Sequence, residues 1–418
     1  MTGILYSIGE VFTLGWWIIV PLILFYILQE VWLFYVRKKF TDAIKWTTIE
    51  VRVPRSVLKS PKSMEQVFAA VHGTYTFGIK FYRKWFKGEV EKWMAFEIVG
   101  FSGGAFLYIR LPQEFRNLIE SAIYSQYPDA EITPADSYLD ALPSTLPNQT
   151  YDLFGTELSL TKEAPFPIRT YEFFEEQKDE WRIDPLASVF EVMAGLKEGE
   201  VLLLQICARP TGDKWRKEGE ELIDAMRGKK KEKKSFLEDW IEGFFEFLKN
   251  FSKAPVEYPA WAEPKIAQKG EIIDFQKLSP IQKEMAEGIT QKISKVGFEV
   301  TMRSVYIDHR SAFTRSNVAA LTGALRQFNS QTLNGLRVFR PSLTRVRGLF
   351  KARRVWARKK KLFRNYRRAR MNKNNIMILN TEELATLFHF PIQLVVAPAL
   401  RRVESRTGGA PTGLPTEE

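Results

Sequence analysis

The chain has 418 residues, 45% of them hydrophobic, and a formal net charge of +12. Its one cysteine, Cys207, excludes an intramolecular disulfide, and the scattered His72, His309 and His389 argue against a zinc site. No G-x-x-x-x-G-K-[ST] pattern occurs, so the phosphate cradle of a P-loop ATPase is missing.

The first element is an apolar span. No side chain from Val11 to Gln29 is charged, and nineteen residues at ~1.5 Å each approach the ~30 Å hydrocarbon core of a bilayer. Trp16 and Trp17 sit toward one end; Trp32 and Tyr35 lie just beyond the other, where amphipathic rings favour the headgroup level. Arg37, Lys38 and Lys39 follow, and no Lys or Arg precedes the span. The positive-inside rule then predicts a single-pass anchor over residues 1–40 in the cell's inner (cytoplasmic) membrane, N-terminus outside, the bulk of the chain cytoplasmic. A cleaved signal peptide is not expected, because a basic n-region and a small-residue cleavage site are both missing.

Residues 41–145 read as a first α/β domain. Trp46–Val53 alternates like a half-buried strand, and Ser63–Tyr75 reads as a helix with Met64, Val67, Phe68 and Val71 on one face. Lys92–Phe101 and Ala105–Leu111 are strands joined through Ser102-Gly103-Gly104. Pro112 is expected to open a helix, and a strand follows near Ala130–Thr133. The order βαββαβ is that of a ferredoxin-like unit.

Residues 146–335 repeat that order imperfectly. Tyr151–Leu160, Glu200–Ala208 and Phe298–Ile307 read as strands; Asp184–Leu196, Ser279–Val296 and Asn317–Phe328 read as helices. Cys207, in the apolar run after Val201, is expected to be a buried core thiol. Asp308-His309-Arg310 reads as a solvated loop at a strand end. Residues 210–271 interrupt the unit with helices. Within them Ser235–Phe251 is amphipathic, with Leu237, Trp240, Ile241, Phe244, Phe245, Leu248 and Phe251 on one face and Glu238, Asp239, Glu242 and Glu246 on the other. That face could pack on the protein's own domains, meet a partner protein, or lie on a membrane; its acidic side disfavours the last.

The basicity is local. Fifteen Lys or Arg and no Asp or Glu fall between Arg337 and Arg370, and without them the rest of the chain carries −3. Residues 336–376 are thus a basic helical segment, with Leu349, Trp356 and Phe363 seven apart along one stripe. Three readings are open: a solvated helix with a narrow docking stripe, attraction to anionic lipid headgroups, or nucleic-acid binding. In the last, Arg353, Arg354, Arg358, Lys359, Lys360, Lys361, Arg364, Arg367, Arg368 and Arg370 meet phosphates while Trp356, Phe363 and Tyr366 stack on unpaired bases. Residues 377–418 read as a terminal strand and linker.

The segments MAFEIVGFSGGAFLYIRLPQEFRNLIESAIYSQYPDAEI (94–132), ICARPTGDKWRKEGEELID (206–224), ILNTEELATLFHFP (378–391) and VVAPALRRVESRTGGAPTGLP (395–415) resemble the membrane-anchored region before the motor domain of TraG-like and related ATPases of conjugative type IV secretion systems. The resemblance covers nearly all of the chain after the anchor and is most specific around Leu379–Arg406. It implies a docking role with the motor on a separate polypeptide. The expectation is an α+β protein: one transmembrane helix, two ferredoxin-like units and a basic helical segment. It would be a non-enzymatic subunit without cofactor or metal, forming a homo-oligomer, docking a separately encoded secretion ATPase and meeting DNA. The rival expectation is a membrane-tethered nucleic-acid-binding or envelope scaffold protein with no ATPase partner.

Overall fold

The computed structural model describes residues 2–54, 59–174, 184–226, 279–314 and 316–391. The expected amphipathic helix Ser235–Phe251, and all of 392–418, lie outside these described residues. Ten helices are described: α1 (Thr2–Asp42), α2 (Lys62–His72), α3 (Phe81–Phe86), α4 (Arg116–Gln126), α5 (Ala187–Ala194), α6 (Lys214–Met226), α7 (Pro280–Ile293), α8 (Ser316–Leu325), α9 (Lys351–Arg367) and α10 (Thr381–Leu387). Strands β1 (Trp46–Arg52), β2 (Met94–Phe101), β3 (Gly104–Pro112), β4 (Glu131–Pro134), β5 (Tyr151–Leu160), β6 (Val201–Pro210), β7 (Gly297–His309), β8 (Leu336–Val338) and β9 (Met377–Asn380) join in one antiparallel sheet.

The strand order is β4-β1-β3-β2-β6-β7-β5-β8, with β9 on the N-terminal part of β7 beyond the reach of β5. The two halves meet at β2 and β6, whose ladder centres on Glu97 opposite Gln205. Both faces of this sheet are covered, which explains why β2 and β6 read as nearly continuous apolar runs rather than alternating ones. One face carries α2, α4, α5, α8 and α10, whose Phe68, Ile123, Phe190, Leu325 and Leu384 share a core with Phe96, Ile206 and Met302. The opposite face carries α9. Helices α6 and α7 form a satellite layer through Trp215, Ile223, Ile289 and Ile293.

Helix α1 is long and apolar enough over Val20–Asp42 to cross a membrane. Its Leu22, Leu24, Phe25 and Leu28 are exposed, as are Trp17, Trp32 and Tyr35. A continuous bare apolar surface of this kind is covered in a working protein by lipid or a partner. Arg37 is half-buried where α1 meets the folded part, and Lys38 and Lys39 are exposed.

Three expectations are corrected. Pro112 does not open a helix: it closes β3 opposite Trp46, and a 3-10 turn at Gln113–Phe115 precedes α4. The amide of Gln113 still bonds Lys45 O at 2.9 Å, so strand pairing runs past the proline, whose missing donor costs nothing at a strand end. Of Asp308-His309-Arg310 only Arg310 lies in an exposed turn, because β7 continues through His309; buried Asp308 accepts hydrogen bonds from the Tyr306 hydroxyl and the His309 amide. Met377–Asn380 is a strand as expected, but 381–391 are no linker. Every side chain of α10 is buried, and Asn380 and Glu383 cap it reciprocally.

The buried Lys292 holds that end in place. Its Nζ lies 3.0 Å from Glu383 Oε2 and donates to the carbonyls of Phe166 and Ile378. Burial pulls the Lys292 ammonium below its ordinary pKa, and the Glu383 carboxylate partly offsets this.

Candidate nucleic-acid interface

Helix α9 is a poor helix by its own electrostatics. Its first turn holds no acidic residue and its N-cap, Phe350, makes no capping hydrogen bond, while Lys351, Arg353 and Arg354 crowd the positive end of the dipole. Tertiary contacts therefore hold it. Leu362, Phe363 and Tyr366 are buried against Leu153, Leu203, Val305 and Ile307. Gly155 on β5 makes room for them, since a Cβ there would stand 2.8 Å from Leu362 Cδ2 and 2.5 Å from Ser304 O. The preceding loop is fixed by Thr344, whose side chain accepts from the Gly155 amide at 3.0 Å.

The other end of α9 is held by polar groups. Tyr108, Glu97, Gln205, Arg303 and Glu157 are successive register partners across β3, β2, β6, β7 and β5. They form a row straight across the sheet, all buried. Gln205 donates to Glu97 at 2.6 Å, and Arg303 donates to Gln205 at 2.6 Å and lies 3.5 Å from Glu157. Arg110, two residues along from Tyr108, pairs with Glu97 at 3.4 Å. The charges balance: two arginines against two glutamates.

This row, with Arg110 and Trp93 beside it, donates to carbonyls at the end of α9 and in the turn that follows. Arg110 donates to Tyr366 O and Arg367 O, Gln205 to Tyr366 O, Arg303 to Asn365 O and Arg370 O, and Trp93 to Ala369 O. Burial pushes the Glu97 carboxyl above its ordinary pKa, against the pull of Arg110 and the Tyr138 hydroxyl. Cys207 lies beneath the same turn, its Sγ 3.4 Å from Ala369 O, and burial pushes its thiol up to about 11. It is an inert core thiol, as its apolar run implies.

The surface left outward is cationic. Arg353, Arg354, Lys360, Lys361, Arg364, Arg368 and Arg370 are exposed. Arg358, Lys359 and Arg367 instead tie the helix down: Arg358 to Arg340 O and Leu343 O, Lys359 to Asp152 at 2.6 Å, Arg367 to Pro143 O. Arg358 has its pKa lowered by burial and by the neighbouring Arg354, a sign of like-charge crowding. Of the three expected stacking aromatics only Trp356 is open, at 50% exposure, with Lys360 Nζ 4.8 Å from its ring centre. Phe363 and Tyr366 are corrected to core residues, since a base cannot reach a ring packed on the sheet. Leu349, Trp356 and Phe363 are likewise no single stripe; Leu349 and Phe350 are bare.

Beside α9 lies an open cleft of about 1130 Å³ between α8 and the β8 edge, lined by Phe154, Thr322, Phe339 and Pro341 and rimmed by Arg326, Arg337 and Arg340. The Arg358 bonds to Arg340 O and Leu343 O tie the loop that carries Arg340 to α9. Composition locates the cations of α9 but not the residues that clamp it. Glu97 and Gln205 each stand as a polar residue inside an otherwise apolar run, a signal the sequence carries; Arg303 and Glu157 sit among other polar residues of β7 and β5 and carry none.

The expected partner-helix residues Leu237, Trp240, Ile241, Phe244, Phe245, Leu248 and Phe251 lie outside the described residues. Among the described residues no group of three or more His, Cys, Asp or Glu is placed to hold a metal ion. No curated protein matches the sequence. Residues 36–400, which take in the sheet, its helices and α9, match a family described as a domain of unknown function (DUF8128), and the chain belongs to that family.

Proposed function

We propose that this chain is a non-enzymatic, membrane-anchored platform that presents a fixed cationic surface to a nucleic-acid backbone. The system it serves would be a conjugative, type IV secretion-like DNA-transfer machine whose ATPase is encoded separately. The carrying observation is the outward face of α9: a helix crowded with like charge, seated by an apolar stripe and by a buried polar row spanning both halves of the sheet. Like-charge crowding of this kind is costly for a free chain and becomes favourable when a polyanion displaces the counterions.

In this reading the two halves, β1–β4 and β5–β8, are ferredoxin-like units joined edge to edge, since each places its strands in the order 4-1-3-2 counted inward from the sheet edge. Helix α1 holds the platform at the inner membrane with Arg37, Lys38 and Lys39 on the cytoplasmic side. The resemblance of 378–391 and 395–415 to the stretch leading into a translocating motor supports the ATPase partner, and that machine would gather several copies of this chain.

Affinity purification of the full chain in detergent, followed by mass spectrometry, tests the assignment. A P-loop ATPase of the secretion class is expected to travel with it at near-stoichiometric amounts. Recovery of the intact membrane protein without any such ATPase, in cells competent for DNA transfer, contradicts the secretion reading.

A further inference from the structure

Residues 77–87 form an aromatic and basic knuckle beside α1 that the surface of α9 does not involve. Phe77, Phe81, Tyr82 and Phe86 are 60–89% exposed, a concentration of bare rings that water alone does not favour. Lys80, Lys84 and Lys87 are exposed between them, and the ion pairs among the described residues do not use these lysines; Arg83 pairs with Glu89 at 3.5 Å.

The height of this knuckle on α1 is fixed. Trp32 Nε1 donates to Trp85 O at 2.9 Å, and Gly88 packs so closely that a Cβ would overlap the Val36 carbonyl. Gly88 also sits at φ +65°, a second reason for glycine there. Trp32 is three residues past Gln29, the end of the uncharged span, or roughly 5 Å at ~1.5 Å per residue. A headgroup layer is about 5–8 Å deep on each side of the hydrocarbon core. If α1 crosses the bilayer with its uncharged stretch Val11–Gln29 in the hydrocarbon core, α3 therefore lies at headgroup level.

We propose that residues 77–87 are a second, interfacial membrane contact: Phe77, Phe81, Tyr82 and Phe86 enter the headgroup–acyl boundary while Lys80, Lys84 and Lys87 meet anionic lipid headgroups. The occupant is lipid rather than a protein because the patch is continuous with α1 and alternates rings with unpaired cations. Two contacts at one height fix the tilt of the folded part on the membrane, which a single helix followed by a short joint does not. The inference rests on the membrane-anchor part of the proposed function.

The test uses the full chain in lipid nanodiscs containing phosphatidylglycerol, with a fluorophore on Phe81→Cys; buried Cys207 does not take the label. Nitroxide placed near the headgroup end of the acyl chain is expected to quench it with a slope several-fold that of an Ala352→Cys control on α9. A label on Ile23→Cys is expected to be quenched more by a deep nitroxide. Quenching at Ile23 with none above control at Phe81 overturns the knuckle and leaves the anchor; no quenching at either position overturns both. Lys80→Gln, Lys84→Gln and Lys87→Gln together, or omission of phosphatidylglycerol, should each lower the Phe81 slope. A slope unchanged by both overturns the anionic-lipid contact.

Discussion

Replacing Arg303 by Met lowers the unfolding free energy by about 3–5 kcal/mol, the cost of leaving one partner of a buried ion pair alone. The reasoning is local. Arg303 is fully buried, and Glu157 keeps only the Asn372 amide, at 2.5 Å, once the guanidinium is gone. The carbonyl of Arg370 loses its guanidinium donor as well, while that of Asn365 keeps only the Arg370 amide, at 2.9 Å. Because those carbonyls lie in the last turn of α9 and just past it, the variant should also loosen that helix before the sheet unfolds. Cys207 reports this directly: the wild-type thiol resists alkylation until global unfolding, and in Arg303→Met it should react in the folded state. Arg353→Met, at an exposed site on the same helix, should move stability by no more than about 0.5 kcal/mol. Equal stability of Arg303→Met and wild type, with Cys207 still protected, would contradict the clamp.

Glu383→Gln is expected to be comparably damaging, and its effect should depend on pH. The carboxylate faces three donors: Ile168 N at 2.8 Å, Asn380 N at 2.9 Å and the Lys292 ammonium. An amide keeps one acceptor, turns a donor toward the other amide and leaves Lys292 without a counter-charge. Lys292 already titrates below its ordinary value of 10.5 because it is buried, so between that lowered pKa and 10.5 the unfolded chain holds more protons than the folded one. Stability contributed by this group therefore rises with pH across that window and is lost as pH falls through the folded pKa. Without Glu383 the folded pKa drops further and the window widens downward. Denaturant midpoints should show Glu383→Gln most destabilised near neutrality, by about 3–5 kcal/mol, and recovering as pH approaches 10. A deficit independent of pH would mean that lost capping, not the stranded ammonium, dominates.

Much of the sheet was legible because its signals are short-range. The strands near Trp46, Lys92, Tyr151 and Phe298, the helical face of Met64, Val67, Phe68 and Val71, and the Ser279-Pro280 helix start each follow from spacing within a dozen residues, and each is present within a few residues of expectation. What local pattern cannot carry is which face of an element meets what. Phe363 and Tyr366 looked available for stacking because the charge around them implied solvent; the second face of the sheet, formed by strands 50 to 270 residues away, buries them instead. The same long-range covering put α10 in the core although 377–418 read as a terminal strand and linker. Glu97 and Gln205 could have been noticed singly, but their alignment with Arg303 and Glu157 depends on the register of four strands. Pro112 failed for a different reason, since its φ near −60° suits a strand end and a helix start alike.

The most direct measurement of the central claim is DNA binding by the detergent-solubilised full chain as a function of salt. Binding through about six phosphates should weaken roughly a thousandfold between about 50 and 200 mM salt, because each neutralised phosphate releases condensed counterions. Arg353, Arg354, Lys360, Lys361, Arg364 and Arg368 are the exposed cations to replace by Gln; Arg358, Lys359 and Arg367 are kept because they hold α9 in place. The account predicts that this six-fold variant, folded with Cys207 protected, loses most of the affinity at about 50 mM salt and most of the slope, on duplex and single strand alike. A wild-type protein that ignores DNA at that salt, or a variant that keeps the same slope, would contradict it.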